Sequence, residues 1–177
     1  MELGRSPSSL DALDVELIAL LVEHPRAGAL ELSRLARVAR ATVTARLERL
    51  ERAGVITGYG PDVDLRAAGF GVQAFVALEI TQGAIDDVRA ELAAIPGVLE
   101  AYATTGTADV FCRIAAASHE DLHATLLRID RSPAVVRSTS VVVLSEVVTP
   151  RYLPLLRAVE HPAPSRAPAY RSSRDRG

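Results

Sequence analysis

The hydrophobic periodicity of this chain changes near Gly69, and this change limits the possible folds more than any other feature. Between Leu10 and Leu21, apolar residues recur every three or four positions. Over residues 70–80 they instead alternate with other residues. A period of 3.6 is typical of a helix packed on one face, and a period of two is typical of a strand. The sequence therefore predicts an α+β chain, with a helical domain followed by a domain that contains a sheet.

The helical part contains three segments joined by short connections. They cover about residues 10–23, 29–37 and 40–52, and Gly54 follows the last as a C-cap. Residues 55–60 have the pattern of a short strand and turn. Three helices with a tight turn before the third, followed by a strand, predict a winged helix-turn-helix. The third helix is then in the recognition position.

The third helix carries two stripes of side chains. Val43, Leu47 and Leu50 have the spacing of a face buried against other helices. The second stripe includes Arg46 and Arg49 and is basic and hydroxylated. Such a surface suits a DNA major groove, where arginines reach guanine edges or phosphates; the alternative is an ordinary solvated helix face. The residues predicted to contact DNA are Arg40, Thr42, Thr44, Arg46 and Arg49.

The second half has the order strand, helix, strand, strand, helix, strand. After the strand at 70–80, the first helix is broken by Pro96 and Gly97, and a tight connection at Gly106 separates the middle strands. A β-rich run over 135–148 ends the pattern. This βαββαβ order is that of a ferredoxin-like sheet.

The second face of such a sheet needs a cover. Alternation in the first strand leaves two choices for that face, either Val72 with Val76 or the set of Gln73, Phe75 and Ala77. Both are largely apolar, and a second copy of the chain commonly covers such a face. The sequence therefore predicts a homodimer.

Composition favours a soluble, cytoplasmic protein with no membrane partner. Hydrophobic residues make up 49 % of the 177 residues, which is enough for a core. No apolar run reaches the roughly 18–20 residues that a membrane span needs, and the N-terminus lacks the apolar core of a signal peptide. The single cysteine excludes an internal disulfide.

In chain order we predict a disordered N-terminus (1–9), the winged helix-turn-helix domain (10–60), a linker (61–70), the ferredoxin-like domain (71–148) and a basic, Pro/Ser/Arg-rich tail (149–177). Within the tail we predict a short turn at 152–159 and disorder from 160 onward.

Three stretches carry more specific information. They are Leu10-Asp-Ala-Leu-Asp14, Val43-x-x-Arg46-Leu-x-x-Leu50-Glu51-x-x-Gly54-Val-Ile56-x-Gly58-Tyr59 and Thr105-Gly106-x-x-Asp109. Through them, residues 10–148 resemble the leucine-responsive regulator/AsnC (Lrp/AsnC) family of transcription factors. The resemblance implies DNA binding by dimers, assembly into tetramers or octamers, and regulation by an amino acid or related metabolite bound at the ferredoxin-like domain.

Two positions depart from the family pattern. Ala39 stands where the family has a serine N-cap before the recognition helix, and Arg37 replaces the glycine of the preceding turn. Loss of a serine cap typically costs about 1 kcal/mol. Thr42 could compensate in part, or the helix could begin one residue away. These departures leave the register of the base contacts open.

The turn between the middle strands, together with the last strand, forms the predicted effector site. Its backbone amides and hydroxyls could hold an α-carboxylate, and Asp109 could hold an α-ammonium group. The alternative is a tight β-turn in which Asp109 bonds its own backbone, beside a strand of exposed hydroxyls. The predicted effector-binding residues are Thr105, Gly106, Thr107, Asp109, Thr139 and Ser140.

The segment His119-Glu120-x-x-His123 matches the zinc-protease motif. On a helix the two histidines lie one turn apart and could share a metal, with Glu120 as the general base. A zinc protease also needs a third ligand and a cleft, and the nearest candidate ligands are Glu146 and the pair Glu160/His161. We therefore predict a chance match, with no metal and no cofactor.

A second enzymatic alternative comes from the haem-precursor decarboxylases, which also resemble this family. The basic stripe of the third helix favours a regulator, since an enzyme has no need of it. The sequence therefore predicts a ligand-responsive, sequence-specific DNA-binding transcriptional regulator that is not an enzyme.

Overall fold

The computed structural model describes residues 10–164, which form two compact units. One contains the residues up to Pro61 together with those from Pro150 onward, and the other runs from Asp62 to Thr149. The elements in chain order are α1 (Ala12–Glu23), α2 (Ala29–Leu35), α3 (Arg40–Arg52), β1 (Val72–Ile80), α4 (Ile85–Ala93), β2 (Val98–Ala103), β3 (Val110–Ala116), α5 (His119–Asp130), β4 (Val135–Val142) and α6 (Leu153–Arg157). None of these helices is both long enough and apolar enough to cross a membrane. The expected disorder of 1–9 and 165–177 concerns residues outside the described range.

The first three helices pack around a small apolar core. Leu17, Leu32 and Val43, one from each helix, are fully buried. The first turn of α1 is closed by a capping box, in which the Asp14 amide donates to the Asp11 carboxylate and the Asp11 amide donates to the Asp14 carboxylate, both at 3.0 Å. The predicted helical domain is confirmed.

The segment after α3 ends the helix without forming the predicted strand. Gly54 has a φ of 71°, the left-handed conformation that often terminates helices. The amides of Val55 and Ile56 donate to the Leu50 carbonyl at 2.9 and 3.3 Å. Since these amides are bound to the helix end, they do not join a neighbouring strand. Residues 55–60 have bends and irregular backbone, so the prediction of a strand here is wrong.

The second unit is a four-stranded antiparallel sheet with the order β2-β3-β1-β4. β1 lies between β3 and β4, and β2 pairs with the outer side of β3. The fully buried Ala74, Val76 and Leu78 of β1 share one core with Val88 of α4 and Leu122 of α5. The ferredoxin-like βαββαβ prediction is confirmed.

The other face of the sheet is exposed in the single chain. Phe75 is 43 % exposed and Val76 is fully buried, so the structure selects the set that contains Phe75 for the open face. Phe111 lies on β3, which pairs with one side of β1, and Tyr102 of β2 lies opposite Phe111. On the other side of β1, Val141 of β4 lies opposite Phe75. All four of these side chains are at least 42 % exposed. The apolar second face expected from the sequence is therefore present.

The last strand is shorter than the β-rich run over 135–148 suggested. β4 ends at Val142, and the amide of Val143 makes one further bond, to the Gln73 carbonyl at 2.8 Å. β1 begins at Val72, so little of the neighbouring strand remains for the later residues to pair with.

The chain beyond the sheet packs against the helical unit. The expected turn at 152–159 is the short helix α6, which contacts α1. Residues 160–164 were predicted to be disordered, but they have defined positions, and the Pro162 carbonyl accepts a hydrogen bond from the Ala12 amide at 3.1 Å. The disorder prediction is therefore wrong for these five residues, because contacts with a distant part of the chain hold them.

Candidate nucleic-acid interface

The turn before α3 has an unusual backbone at Arg37. Its φ is 55°, in the left-handed region where glycine is favoured, and for another residue this conformation costs about 1–2 kcal/mol. The next amide, that of Val38, donates to the Ser33 carbonyl at 3.1 Å. The side chain of Arg37 is exposed. The turn thus retains the shape that a glycine would favour and adds a positive charge beside α3.

The recognition helix begins without a side-chain cap. Ala39 is the N-cap residue and makes no side-chain cap bond, and its carbonyl accepts from the Thr42 and Val43 amides at 2.9 and 3.2 Å. α3 therefore begins at Arg40.

The outer face of α3 combines small side chains with one charge of each sign, Arg40 and Glu48. Arg40, Ala41, Thr44, Ala45 and Glu48 are all exposed, and their spacing of three or four residues places them on one stripe. The two alanines leave room for a close approach by another molecule. Arginine and threonine supply hydrogen-bond donors to phosphates or base edges.

Arg46 and Arg49 do not extend this stripe, because both reach to α1. The Arg46 guanidinium donates through Nη1 to Asp11 Oδ2 and to Asp14 Oδ1, the latter at 2.9 Å. Arg49 donates through Nη2 to Asp14 Oδ2. The Asp14 side chain is fully buried, that of Arg46 is 12 % exposed and that of Arg49 is 47 % exposed. We call these four residues the α1–α3 clamp.

The charges of the clamp compensate one another. Burial by itself would raise the pKa of Asp14, but hydrogen bonds from Arg49, the Asp11 amide and Arg46 outweigh it and lower that pKa. Burial would likewise lower the pKa of Arg46, and its bonds to Asp11 and Asp14 raise it instead. Both groups therefore remain ionised near neutral pH. With two arginines and two aspartates, the clamp adds no net charge to the surface.

The structure thus divides the five residues that the sequence grouped as DNA contacts. Arg40 and Thr44 lie on the outer face of α3, and Thr42 is half-buried beside it. Arg49 belongs to the clamp but keeps half of its side chain exposed, whereas Arg46 is turned inward. Helical periodicity gives the direction of a Cα–Cβ bond, but the partners of a long side chain decide where its guanidinium lies.

Tyr59 connects the segment after α3 to the last turn of that helix. Its hydroxyl donates to Glu51 Oε1 at 2.6 Å. Partial burial and this carboxylate raise the pKa of Tyr59 to about 12. The tyrosine therefore remains protonated and keeps donating this bond throughout the physiological pH range.

The predicted effector turn is hydrogen-bonded to the end of β1 through Asp109. Asp109 Oδ2 accepts from the Ile80 amide at 2.8 Å, and the Asp109 amide donates to the Leu78 carbonyl at 2.9 Å. Gly106 has a φ of 124°, which requires glycine. One carboxylate oxygen of Asp109 therefore has a structural role at the end of β1, although its partner is the neighbouring strand and not the backbone of its own turn, as the alternative had expected.

The remaining effector residues do not converge with Asp109, because Thr139 and Ser140 pair with the middle of β1 and the turn lies at its end. Thr105 and Thr107 are exposed in the turn, and Thr139 and Ser140 are exposed on β4. β1 separates the two groups, since the turn bonds to one edge of β1 and β4 pairs with the other. Two strand spacings alone put them at least about 10 Å apart.

The zinc-protease motif lies on the exposed side of α5. His119, Glu120 and His123 are all exposed. The part of the chain that the structure describes brings together no group of three or more potential metal-ligating side chains.

Two family models match the chain, one on each unit. A winged helix-turn-helix DNA-binding model matches residues 10–57, and the Lrp/AsnC ligand binding domain matches residues 73–153. An HTH-type transcriptional regulator of Mycobacterium tuberculosis is 36 % identical over 141 residues, which cover 78 % of this chain and 95 % of the relative.

Solved structures show the same relationship. AsnC of E. coli superposes with a TM-score of 0.76 and 26 % identity, over 82 % of this chain and 99 % of its own. A transcriptional regulator of Neisseria meningitidis, solved as a complex with L-Met, gives a TM-score of 0.77 and 26 % identity, over 85 % of this chain and 100 % of its own.

These relatives are transcriptional regulators, so neither the zinc-hydrolase nor the decarboxylase alternative is supported. The two-unit fold, with its three-helix N-terminal unit, and the matches over both units together show that the chain belongs to the Lrp/AsnC family of DNA-binding transcriptional regulators.

Proposed function

We propose that α3 enters the major groove of double-stranded DNA through its outer face. The observation that carries this proposal is the exposed stripe in which Arg40 and Thr44 flank Ala41 and Ala45. An arginine there can form a bidentate contact with guanine, and small neighbours let the helix backbone come close. Since such a regulator acts on the chromosome, we place the protein in the cytoplasm.

The five residues then have different roles. Arg40 and Thr44 contact bases or phosphates directly, and Thr42 supports them at the edge of the face. The exposed half of Arg49 reaches a phosphate. Arg46 fixes the angle of α3 through the clamp, because its guanidinium is bonded to two carboxylates of α1.

Substitution of Arg40 tests this assignment. A duplex selected by the unchanged protein from a random-sequence pool serves as the probe. Arg40→Ala should weaken binding by about 1–3 kcal/mol and relax the preference at one base pair if Arg40 reads a base. A phosphate contact would instead weaken all sequences alike and reduce the salt slope by about one.

Arg89→Ala is the matched control, since Arg89 is exposed on α4 of the other unit. Equal affinities of Arg40→Ala and the control for every duplex would reject the assignment. Failure of the unchanged protein to enrich any sequence would reject sequence-specific binding itself.

The second unit is proposed to bind an amino acid or a related metabolite at the turn that contains Thr105, Gly106, Thr107 and Asp109. Exposed amides and hydroxyls in this turn can accommodate a carboxylate, and the second oxygen of Asp109 can accept from an ammonium group. Thr139 and Ser140 offer further hydroxyls across β1. The Neisseria relative solved with L-Met supports an amino-acid ligand for this fold.

Asp109→Asn separates the ligand role of Asp109 from its structural role. The asparagine carbonyl can still accept from the Ile80 amide, but the negative charge is lost. Calorimetric titration with L-methionine, and then with the other standard amino acids, should show binding to the unchanged protein and at least tenfold weaker binding to the variant. Equal affinity for every ligand would remove Asp109 from the site.

A homodimer formed through the open face of the sheet completes the proposed assembly, and dimers then associate into tetramers or octamers. Phe75 and Phe111 provide apolar surface at the centre of that face. Phe75→Glu should yield monomers in analytical ultracentrifugation. Leu127→Glu is the control, because Leu127 lies on α5 and not on the open face of the sheet. Its side chain is as exposed as that of Phe75, 42 % against 43 %, so both variants place a charge at a similarly exposed position. Dissociation by both variants, or by neither, would contradict this interface.

A further inference from the structure

Residues 150–164, which we call the C-terminal strap, lie against the first helix of the DNA-binding unit. α6 contacts α1, and a groove of about 340 Å³ between them is lined by the outer face of α1 and by Arg157. The strap is separated by almost the whole chain from the helix on which it packs.

The end of the strap is bonded to the residues on both sides of the α1 N-cap. The Pro162 carbonyl accepts from the Ala12 amide at 3.1 Å, which satisfies one of the free amides of the first helical turn. His161 Nδ1 lies 3.0 Å from the Leu10 carbonyl, and its Nε2 lies 2.5 Å from the Leu156 carbonyl. Both partners are carbonyl acceptors, so the ring donates an N–H to one of them, and the tautomer decides which.

The N-cap held in this way belongs to the α1–α3 clamp. Asp11 lies between Leu10 and Ala12, and its carboxylate accepts both from the Asp14 amide and from Arg46. A change in the position of the N-cap therefore changes the position of the carboxylate that holds α3. The strap is therefore connected to α3 through its bonds to Leu10 and Ala12, the backbone of Asp11 between them, and the bond from Arg46 to Asp11.

We propose that His161 is a positioning residue for DNA binding, which acts by fixing the α1 N-cap and, through the clamp, the angle of α3. This proposal rests on the proposed function of α3. No part of the strap needs to touch DNA. The chain enters the strap at Pro150, directly after the sheet unit, so the anchor belongs to the segment that follows the ligand-binding fold.

Hydrogen exchange of the full chain tests the anchor without DNA. In His161→Ala, the amides of the first turn of α1 should exchange roughly threefold to tenfold faster, the loss expected for one hydrogen bond. His161→Gln keeps an N–H donor and should restore at least half of the protection on a logarithmic scale. His24→Ala, at the exposed opposite end of α1, is the control and should leave the first turn unchanged. Unchanged exchange in His161→Ala would overturn the proposal.

Fluorescence anisotropy with the selected duplex tests the consequence for DNA. His161→Ala should bind roughly threefold to tenfold more weakly at a temperature where circular dichroism shows it fully folded, and His161→Gln should recover. In an Arg46→Ala background the same substitution should change affinity by less than about twofold, because the connection is already broken. The positioning role would be overturned if His161→Ala exchanged faster but bound DNA with unchanged affinity. It would also be overturned if the losses of binding free energy from His161→Ala and Arg46→Ala simply added in the double variant. If the unchanged protein selects no duplex, the proposed function fails, and the exchange experiment still decides whether the strap anchors α1.

Discussion

Replacement of Arg46 by alanine should mainly destabilise the protein, although the sequence places Arg46 among the DNA contacts. Its guanidinium donates to two carboxylates, Asp11 and Asp14, and its side chain is only 12 % exposed. Asp14 is fully buried, so its charge depends on partners within the protein.

The expected magnitude follows from what remains after the change. Removal of one partner of a buried ion pair costs about 3–5 kcal/mol. Arg49 still binds Asp14 in the variant, so we expect the lower end, about 3 kcal/mol. Arg49→Ala should cost about 0.5–1 kcal/mol, because Arg49 is 47 % exposed and water screens its pair. Arg40→Ala should change stability by less than about 0.5 kcal/mol, since Arg40 is exposed.

Urea unfolding of the full chain, followed by far-UV circular dichroism, measures this series. The two units can unfold in separate transitions, so the fit allows for two, and the shift should be confined to one of them. DNA affinity measured on folded protein should be impaired most by Arg40→Ala, and Arg46→Ala should lose only the part that depends on the position of α3. An unfolding midpoint for Arg46→Ala equal to that of Arg40→Ala would refute the clamp as a stabilising contact.

Three further changes test the local structure. The pKa of Asp14 is lowered from its ordinary value of 3.8, so its stabilising contribution is complete above about pH 5 and is lost as the pH falls through the folded-state pKa. Urea unfolding between pH 6 and 2 should therefore show a flatter acid limb for Asp14→Asn, and parallel curves would contradict this account. Gly54→Ala should lower the free energy of unfolding by about 1 kcal/mol, because the φ of Gly54 is 71°. Gly58→Ala, with open space around it, is the control and should cost less than about 0.5 kcal/mol in the same assay. Equal costs would argue against strain at Gly54. Gly97→Ala would place a Cβ 3.0 Å from the Ala115 carbonyl oxygen and should lower the melting temperature, at a cost of about 1–3 kcal/mol; an unchanged melting temperature would show that the strand ends yield easily.

Much of the fold could be predicted from periodicity. The spacing of Leu17, Leu32 and Val43 identified positions that are fully buried, and the alternation around Val76 identified β1 as a strand, although only the structure showed which of its faces is buried. These predictions succeed because a helix or strand repeats its geometry, so burial on one face is visible in the sequence itself. The place of α3 as the third helix after a tight turn followed from the same local information, whereas the strand expected after it is absent.

Periodicity predicted the ends of helices and strands less well than their interiors. The strand expected after Gly54 is absent from residues 55–60, since the nearby amides bond to the end of α3. The last strand stops at Val142 because β1 provides few further partners. The end of an element depends on its neighbours in space, which a local pattern does not contain.

The candidate interface shows most clearly what the sequence by itself determined and what only the tertiary structure decided. The sequence determined that α3 is amphipathic and basic, and that Asp11 and Asp14 suit the start of α1. Only the fold brings these carboxylates to Arg46 and Arg49, more than thirty positions away along the chain. It also brings His161 to the same helix start. Long polar side chains go where their partners lie, and hydrogen bonds between distant segments leave no period in the sequence from which they could be predicted.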